Sequence, residues 1–283
     1  MNSWRKLRQS AAALLTASGA AVAAGQSVTY LAPAQHAATV GKQVAVRVEA
    51  GEGEVVRPVA WPTERIDWLF VRAPGTQENR EDVGPRDPQG NFIEVALTKP
   101  GVTLIALDTK PAETTFTGKQ FKAFARRALP STAYNAAVAS IADAAQVRTR
   151  RIESAKTLVR VADPTGKPTS HSAVAQSKTG QAVEIRPLAD PTMATVGSDL
   201  PVRAYVAGSK QVGVKVLATC VATGKTQEAI ADSSGSCHFR ISDPGVWRIE
   251  FHHLTSAPDD AKTDWMIYSA TLTFEAPRTG AGK

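Results

Sequence analysis

The residues most able to do chemistry concentrate in FHHLTSAPDDAKTDWMIY, residues 251–268. Adjacent His252 and His253 are followed by Asp259, Asp260 and Asp264. Imidazole with carboxylate is a donor set that suits nickel, copper or zinc. The pleat limits this reading, because neighbouring side chains on a strand point to opposite faces. His253 then shares a face with Trp247, Ile249 and Phe251, and His252 shares the other with Arg248 and Glu250. Two roles stay open for His253. It is either a metal ligand, helped by Asp264 from across the loop with Trp265 walling the site, or a part-buried histidine hydrogen-bonded at a sandwich edge. His252 is expected on the surface, and Asp259 and Asp260 in a solvated loop. His252, if the strand ends or twists there, and His36 are the remaining candidate ligands. His171 falls in a polar linker, and His238 points away from the face of Cys237 and Phe239.

Motifs of catalysis are missing from the sequence. There is no Gly-x-Ser-x-Gly elbow and no His-Glu-x-x-His. TCVATGKT (219–226) imitates the end of a phosphate loop, but Thr219 stands where the first glycine belongs. Asp87, Asp232 and Asp243 open turns, where capping of backbone amides is the expected work of an aspartate. The chain is read as non-enzymatic.

The elements around these residues follow from composition and periodicity. MNSWRKLRQ is basic, and the SAAALLTASGAAVAAG that follows is small and apolar. Together they read as a secretory signal over 1–25, cleaved near residues 23–25. No later run is long enough to span a membrane, so a soluble periplasmic protein is expected. Arg5, Lys6 and Arg8 account for three of the formal charge of +7, and the other cations are scattered. Without an aromatic platform or basic stripe, nucleic-acid binding is excluded. Cys220 and Cys237 lie close in sequence, and in an oxidising compartment a disulfide is the expected pairing. A pair of metal-binding thiols is the rival.

An internal repeat organises the chain. AATVGKQVAVRVEA (37–50) matches MATVGSDLPVRAYVA (193–207). DPQGNFIEVALTKPGVTLIALD (87–108) parallels DSSGSCHFRISDPGVWRIEFHH (232–253). Each copy has an Asp-x-x-Gly turn, an alternating strand, a Pro-Gly-Val corner and a second strand. Period-two runs bounded by Gly, Pro and Asp read as half-buried antiparallel strands. Two immunoglobulin-like sandwiches are therefore expected, at 26–112 and 181–276. Residues 113–180 are expected to join them as a short helical segment and a linker. Within that segment Phe121, Phe124, Ala125 and Leu129 form a helical stripe, Pro130 breaks it, and Ser131 caps a second helix. RIESAKTLVRV (151–161) tips toward strand, and 277–283 is expected to be a disordered tail.

The succession LDTKPAETTFTGKQFKAFARRAL, RRIESAKTLVRV, EIRPLADPT and DPGVWRIEFHHL…DWMIYSATLTFE resembles a bacterial periplasmic family of unknown function. Some of its members carry the description of a nickel-uptake, substrate-specific component. The resemblance rests most on His253, Asp264-Trp265 and Ala270 to Glu275. It implies an exported two-domain binding protein that serves an envelope transporter or receptor. The histidines the family carries near its mature N-terminus and after its first long strand are displaced to His36 or missing here. The resemblance thus implies an incomplete metal site. The competing expectation is a structural or adhesion-like module whose sheet edges bind a partner by strand addition.

Overall fold

A computed structural model describes residues 27–52, 55–80, 90–168, 172–257 and 262–278. The expected signal segment, residues 279–283 of the tail, Asp87, His171, Asp259 and Asp260 lie outside the described residues. The first half runs β1 (Val28–Pro33), β2 (Ala37–Thr39), β3 (Gln43–Glu52), β4 (Val55–Val59), β5 (Ile66–Ala73), β6 (Thr76–Arg80), β7 (Phe92–Ala96) and β8 (Gly101–Thr109). β9 (Ala112–Thr117), α1 (Gly118–Ala128), α2 (Ser131–Ala137) and β10 (Gln146–Ala162) follow. The second half comprises β11 (Val183–Pro187), β12 (Asp199–Val206), β13 (Ser209–Lys210), β14 (Lys215–Cys220) and β15 (Thr226–Ile230). β16 (Ser236–Arg240), β17 (Gly245–Ser256) and β18 (Trp265–Ala276) complete it.

The repeat reappears as matching strands. β3 carries β1 on one side and β7 on the other, as β12 carries β11 and β16. β6-β5-β8-β10 is likewise matched by β15-β14-β17-β18. The Pro-Gly-Val corners match too, since Gly101 and Gly245 sit at φ 127° and 115°, where only glycine is at ease. Trp247 Nε1–H donates to the Asp243 carbonyl at 3.0 Å and pins the second corner. The protein is mainly β, with immunoglobulin-like sandwich sheets as the sequence implied.

The join between the copies differs from the expected helices and linker. β10 pairs with β18 in parallel, from Thr149 opposite Trp265 to Thr157 opposite Thr273. The two four-stranded rows thereby merge into one ten-stranded sheet, with β2 and β9 also bonded to β10. Alternate side chains of its strands enter different cores. Leu104, Ala106 and Phe70 pack with Val202 and Ile185 of the β12 sheet. Ile105, Leu107, Leu69 and Val71 pack with Val46 and Val48 of the β3 sheet. The molecule is thus three sheets deep, with its small sheets on opposite faces of the large one. Two-sided burial explains why GVTLIALDT in β8 reads as a nearly unbroken apolar run.

β10 contains the RIESAKTLVRV stretch that tips toward strand, and it runs longer, over Gln146–Ala162, with polar residues inside the fold. Within it Lys156 is fully enclosed, with Nζ donating to Glu184 at 2.7 Å and to the Ile185 carbonyl at 3.2 Å. Burial lowers the Lys156 pKa, partly offset by Glu184. Such a pair is tolerated inside only because its partners satisfy it. Ahead of β10, Thr117 and Gln120 form a capping box on α1, and Phe121, Phe124 and Ala125 seat it against Val147 and Ile267. Pro130, not Ser131, occupies the cap position of α2, with no side-chain cap bond.

The expected disulfide is absent: Cys220 and Cys237 are both buried free thiols. β14 belongs to the central sheet and β16 to the β12 sheet, and the two thiols share one core without a bond between them. Burial, with Asp232 adding to it, pushes the Cys237 thiol up to about 12.

Candidate functional site

Strand register decides the fate of the histidine-rich segment. His253 stands opposite Tyr268, and Ser256 opposite Trp265. Asp264 lies four residues beyond Tyr268, ~13 Å along the strand at ~3.3 Å per residue. Its carboxylate instead accepts the Arg148 backbone N–H at 2.7 Å and Nη2 at 2.6 Å, which hold its pKa below the ordinary value. The Trp265 ring packs on Phe121, centroids 5.4 Å apart, as part of the seat of α1 rather than a site wall. His253 is half-buried, its ring 6.2 Å from that of Tyr268, and burial lowers its pKa.

His252 was expected at the surface and is instead only 2% exposed. The face it shares with Arg248 and Glu250 is covered by α1 and β1. The Phe124 ring lies edge-on 5.1 Å away, Nδ1 is 2.9 Å from Ser269 Oγ, and Nε2 has no hydrogen-bond partner among the described residues. Burial, then Arg127 and Arg151, keep this imidazole neutral by lowering its pKa well below the usual value. Beside it Glu250 accepts from the Tyr30 hydroxyl and pairs with Arg127. Arg248 pairs with Glu49 and lies over the Tyr30 ring at 5.1 Å.

His36 sits between β1 and β2, with Nδ1 3.0 Å from the Leu158 carbonyl. A carbonyl only accepts, so Nδ1 carries the hydrogen and Nε2 presents a lone pair. Burial lowers the His36 pKa, against the raising effects of the Leu158 bond and Glu275.

His36, His252, His253 and Asp264 are therefore not brought together. Among the described residues no group of three or more His, Cys, Asp or Glu could hold a metal ion. The metal set expected from the sequence does not fit this arrangement. Asp232 does the turn work foreseen for it, its Oδ1 accepting from Ser234 N at 2.8 Å and Ser236 N at 3.0 Å.

The fold does assemble a pocket of about 430 Å³ where the two halves meet. His36, Glu49, Arg248 and Glu275 supply its charge and polarity, set among apolar residues such as Pro33 and Val246. Glu49 is committed to Arg248, whereas no hydrogen bond or ion pair engages Glu275 among the described residues. Sequence spacing gives no hint of this group. Its members come from β3, β17, β18 and the β1–β2 turn, and only the parallel seam makes them neighbours.

Fold and site together define a class: a mainly β protein of two fused immunoglobulin-like sandwiches with a polar pocket at their junction. Residues 24–255 match the family described as Domain of unknown function (DUF4198), and the chain belongs to that family. No curated protein matches it. Among solved structures it is similar to the fibronectin(III)-like modules of Clostridium thermocellum CbhA, at 9% identity and a TM-score of 0.20, covering 89% of this chain and 97% of that one. It is also similar to the N-terminal four Ig domains of Dscam1 isoform 9.44, at 11% identity and a TM-score of 0.18, covering 89% and 45%. A third likeness is the mouse nectin-like molecule 4 ectodomain, at 10% identity and a TM-score of 0.20, covering 91% and 66%. Among the described residues no helix is long and apolar enough to cross a membrane.

Proposed function

We propose that the protein is an exported, non-enzymatic binding module that takes a small ligand at the junction pocket and serves a transporter or receptor of the bacterial envelope. The observation that carries this reading is the polar lining of the pocket. Its volume of about 430 Å³ lies in the range of small-molecule sites. His36 offers an acceptor nitrogen, and Glu275 offers a carboxylate that no hydrogen bond engages among the described residues. Two acceptors beside a self-neutralised Glu49–Arg248 pair suit a ligand bearing an ammonium or guanidinium group. A half-buried carboxylate gains most from a charged donor.

Calorimetric titration of the chelator-stripped mature chain with putrescine, agmatine, Ni²⁺, Cu²⁺ and Zn²⁺ tests this. Saturable amine binding, weakened roughly tenfold in Glu275→Gln, supports it. Saturable nickel binding that His253→Ala abolishes replaces it with a metal-handling role.

A second reading rests on β4, which among the described residues is an edge strand bonded only to β3, with Val55 and Val59 52% and 38% exposed. Such an edge accepts an added strand. Val55→Lys would then abolish capture of an envelope partner without touching amine binding.

A further inference from the structure

The fold sorts scattered cations into two groups. The densest run in the sequence is neutralised: Arg148 pairs with Asp264 at 2.6 Å, Arg150 with Glu113 at 3.8 Å and Arg151 with Glu153 at 2.9 Å. Lys119, Lys122 and Arg126 instead meet on the outer face of α1. Their spacing of three and then four residues spans two turns, ~10 Å along the axis. With Tyr134 and Asn135 of α2, and Asp143, they line a groove of about 490 Å³. Of these lining residues only Asp143 is acidic, so three cations face one carboxylate.

Two of the cations are already arranged for an anion. The Arg126 guanidinium lies over the Tyr134 ring at 5.1 Å and donates through Nη2 to its hydroxyl at 3.3 Å. Held flat in this way, a guanidinium keeps further donors for a bidentate acceptor. Lys122 is paired with Asp143, whose side chain is 66% exposed. A pair this open to water yields readily to a stronger anion. Lys119 lies one turn away, its charge acting on Asp143.

We propose that this groove binds a phosphate group, with Arg126 as the fork and Lys119 and Lys122 as point charges. Phosphate matches both parts of the set, since its oxygens accept bidentate bonds from arginine and its charge suits clustered ammonium groups. The site is remote in sequence from the junction pocket and independent of it. The group could belong to a soluble phosphate compound or to a phospholipid headgroup, and the chemistry of the groove is the same for both.

The test uses the full mature chain at about 50 mM salt. One arm titrates pyrophosphate by calorimetry, and the other floats the protein with vesicles of phosphatidylcholine and phosphatidylglycerol. Saturable pyrophosphate binding is expected, weakening roughly tenfold in Lys119→Gln/Arg126→Gln and tightening in Asp143→Asn. Flotation that pyrophosphate competes away assigns the headgroup, and pyrophosphate binding without flotation assigns a soluble compound. Circular dichroism melting of each variant should match the parent, because all these side chains face solvent. Binding unaltered by the double variant, or none by either probe below about 10 mM, overturns the proposal.

Discussion

Acid sensitivity at His252 probes the enclosed second face of β17. A histidine in the unfolded chain titrates near ~6.5. In the fold, burial beneath α1, reinforced by Arg127 and Arg151, lowers the pKa well below that. As pH falls through the unfolded value, the unfolded chain takes up a proton that the folded site refuses. Stability therefore declines from about pH 6.5 downward, until the folded pKa is reached. The slope is at most ~1.4 kcal/mol per pH unit, so the loss between about pH 7.5 and pH 5 is at most about 2 kcal/mol. His36 acts in the same sense, because burial lowers its pKa too. Asp108 acts in the opposite sense, because burial raises its pKa and the folded state then takes its proton first. Comparison with His252→Gln cancels both, since glutamine can still bond Ser269 but does not titrate. Urea unfolding of the two proteins at about pH 7.5 and about pH 5 is the assay. The parent should lose stability relative to the variant, by up to about 2 kcal/mol. Stability profiles that stay parallel within about 0.5 kcal/mol would refute the enclosed, neutral histidine.

Thiol titration of the protein unfolded without reductant should count both Cys220 and Cys237, whereas a disulfide would leave none to react. Ala207 adopts φ 47° beside Gly208 at φ 77°, a hairpin turn of the kind that favours Asn-Gly. Ala207→Asn should therefore raise stability by about 0.5–1 kcal/mol, and a lowered urea midpoint would contradict that backbone. Lys156→Met leaves Glu184 buried without its cation and should cost about 3–5 kcal/mol. Adding Glu184→Leu should recover part of that loss in the same urea assay, and a single-variant loss below about 1 kcal/mol would show that water reaches the pair.

What the sequence disclosed and what it hid have the same physical cause. Strand periodicity and the two Pro-Gly-Val corners are local, so the repeated sandwiches were legible from Val44, Val46 and Trp247 onward. Burial on a strand's second face is not local. The Arg248–Glu250–His252 face carries charges that ordinarily mean solvent, yet Tyr30, Arg127 and Glu49 cover it and pair with Glu250 and Arg248. One sequence signal does report such burial: Val102 to Leu107 in β8 lacks polar alternation, which marks a strand covered on both sides. The junction pocket left no trace of that kind, because His36, Glu49, Arg248 and Glu275 become neighbours only after β10 finds β18.

The parallel seam also dictates an order of events at synthesis. Thr149 cannot meet Trp265 until the whole second half has emerged. During that interval β10 ends the first sandwich as a long unpaired edge, open to the edges of other nascent chains. A chain cut between β10 and β11 would keep that exposure permanently. Its first fragment should therefore associate with copies of itself along β10, so that the duplicated half, expressed alone, would behave as one side of a dimer.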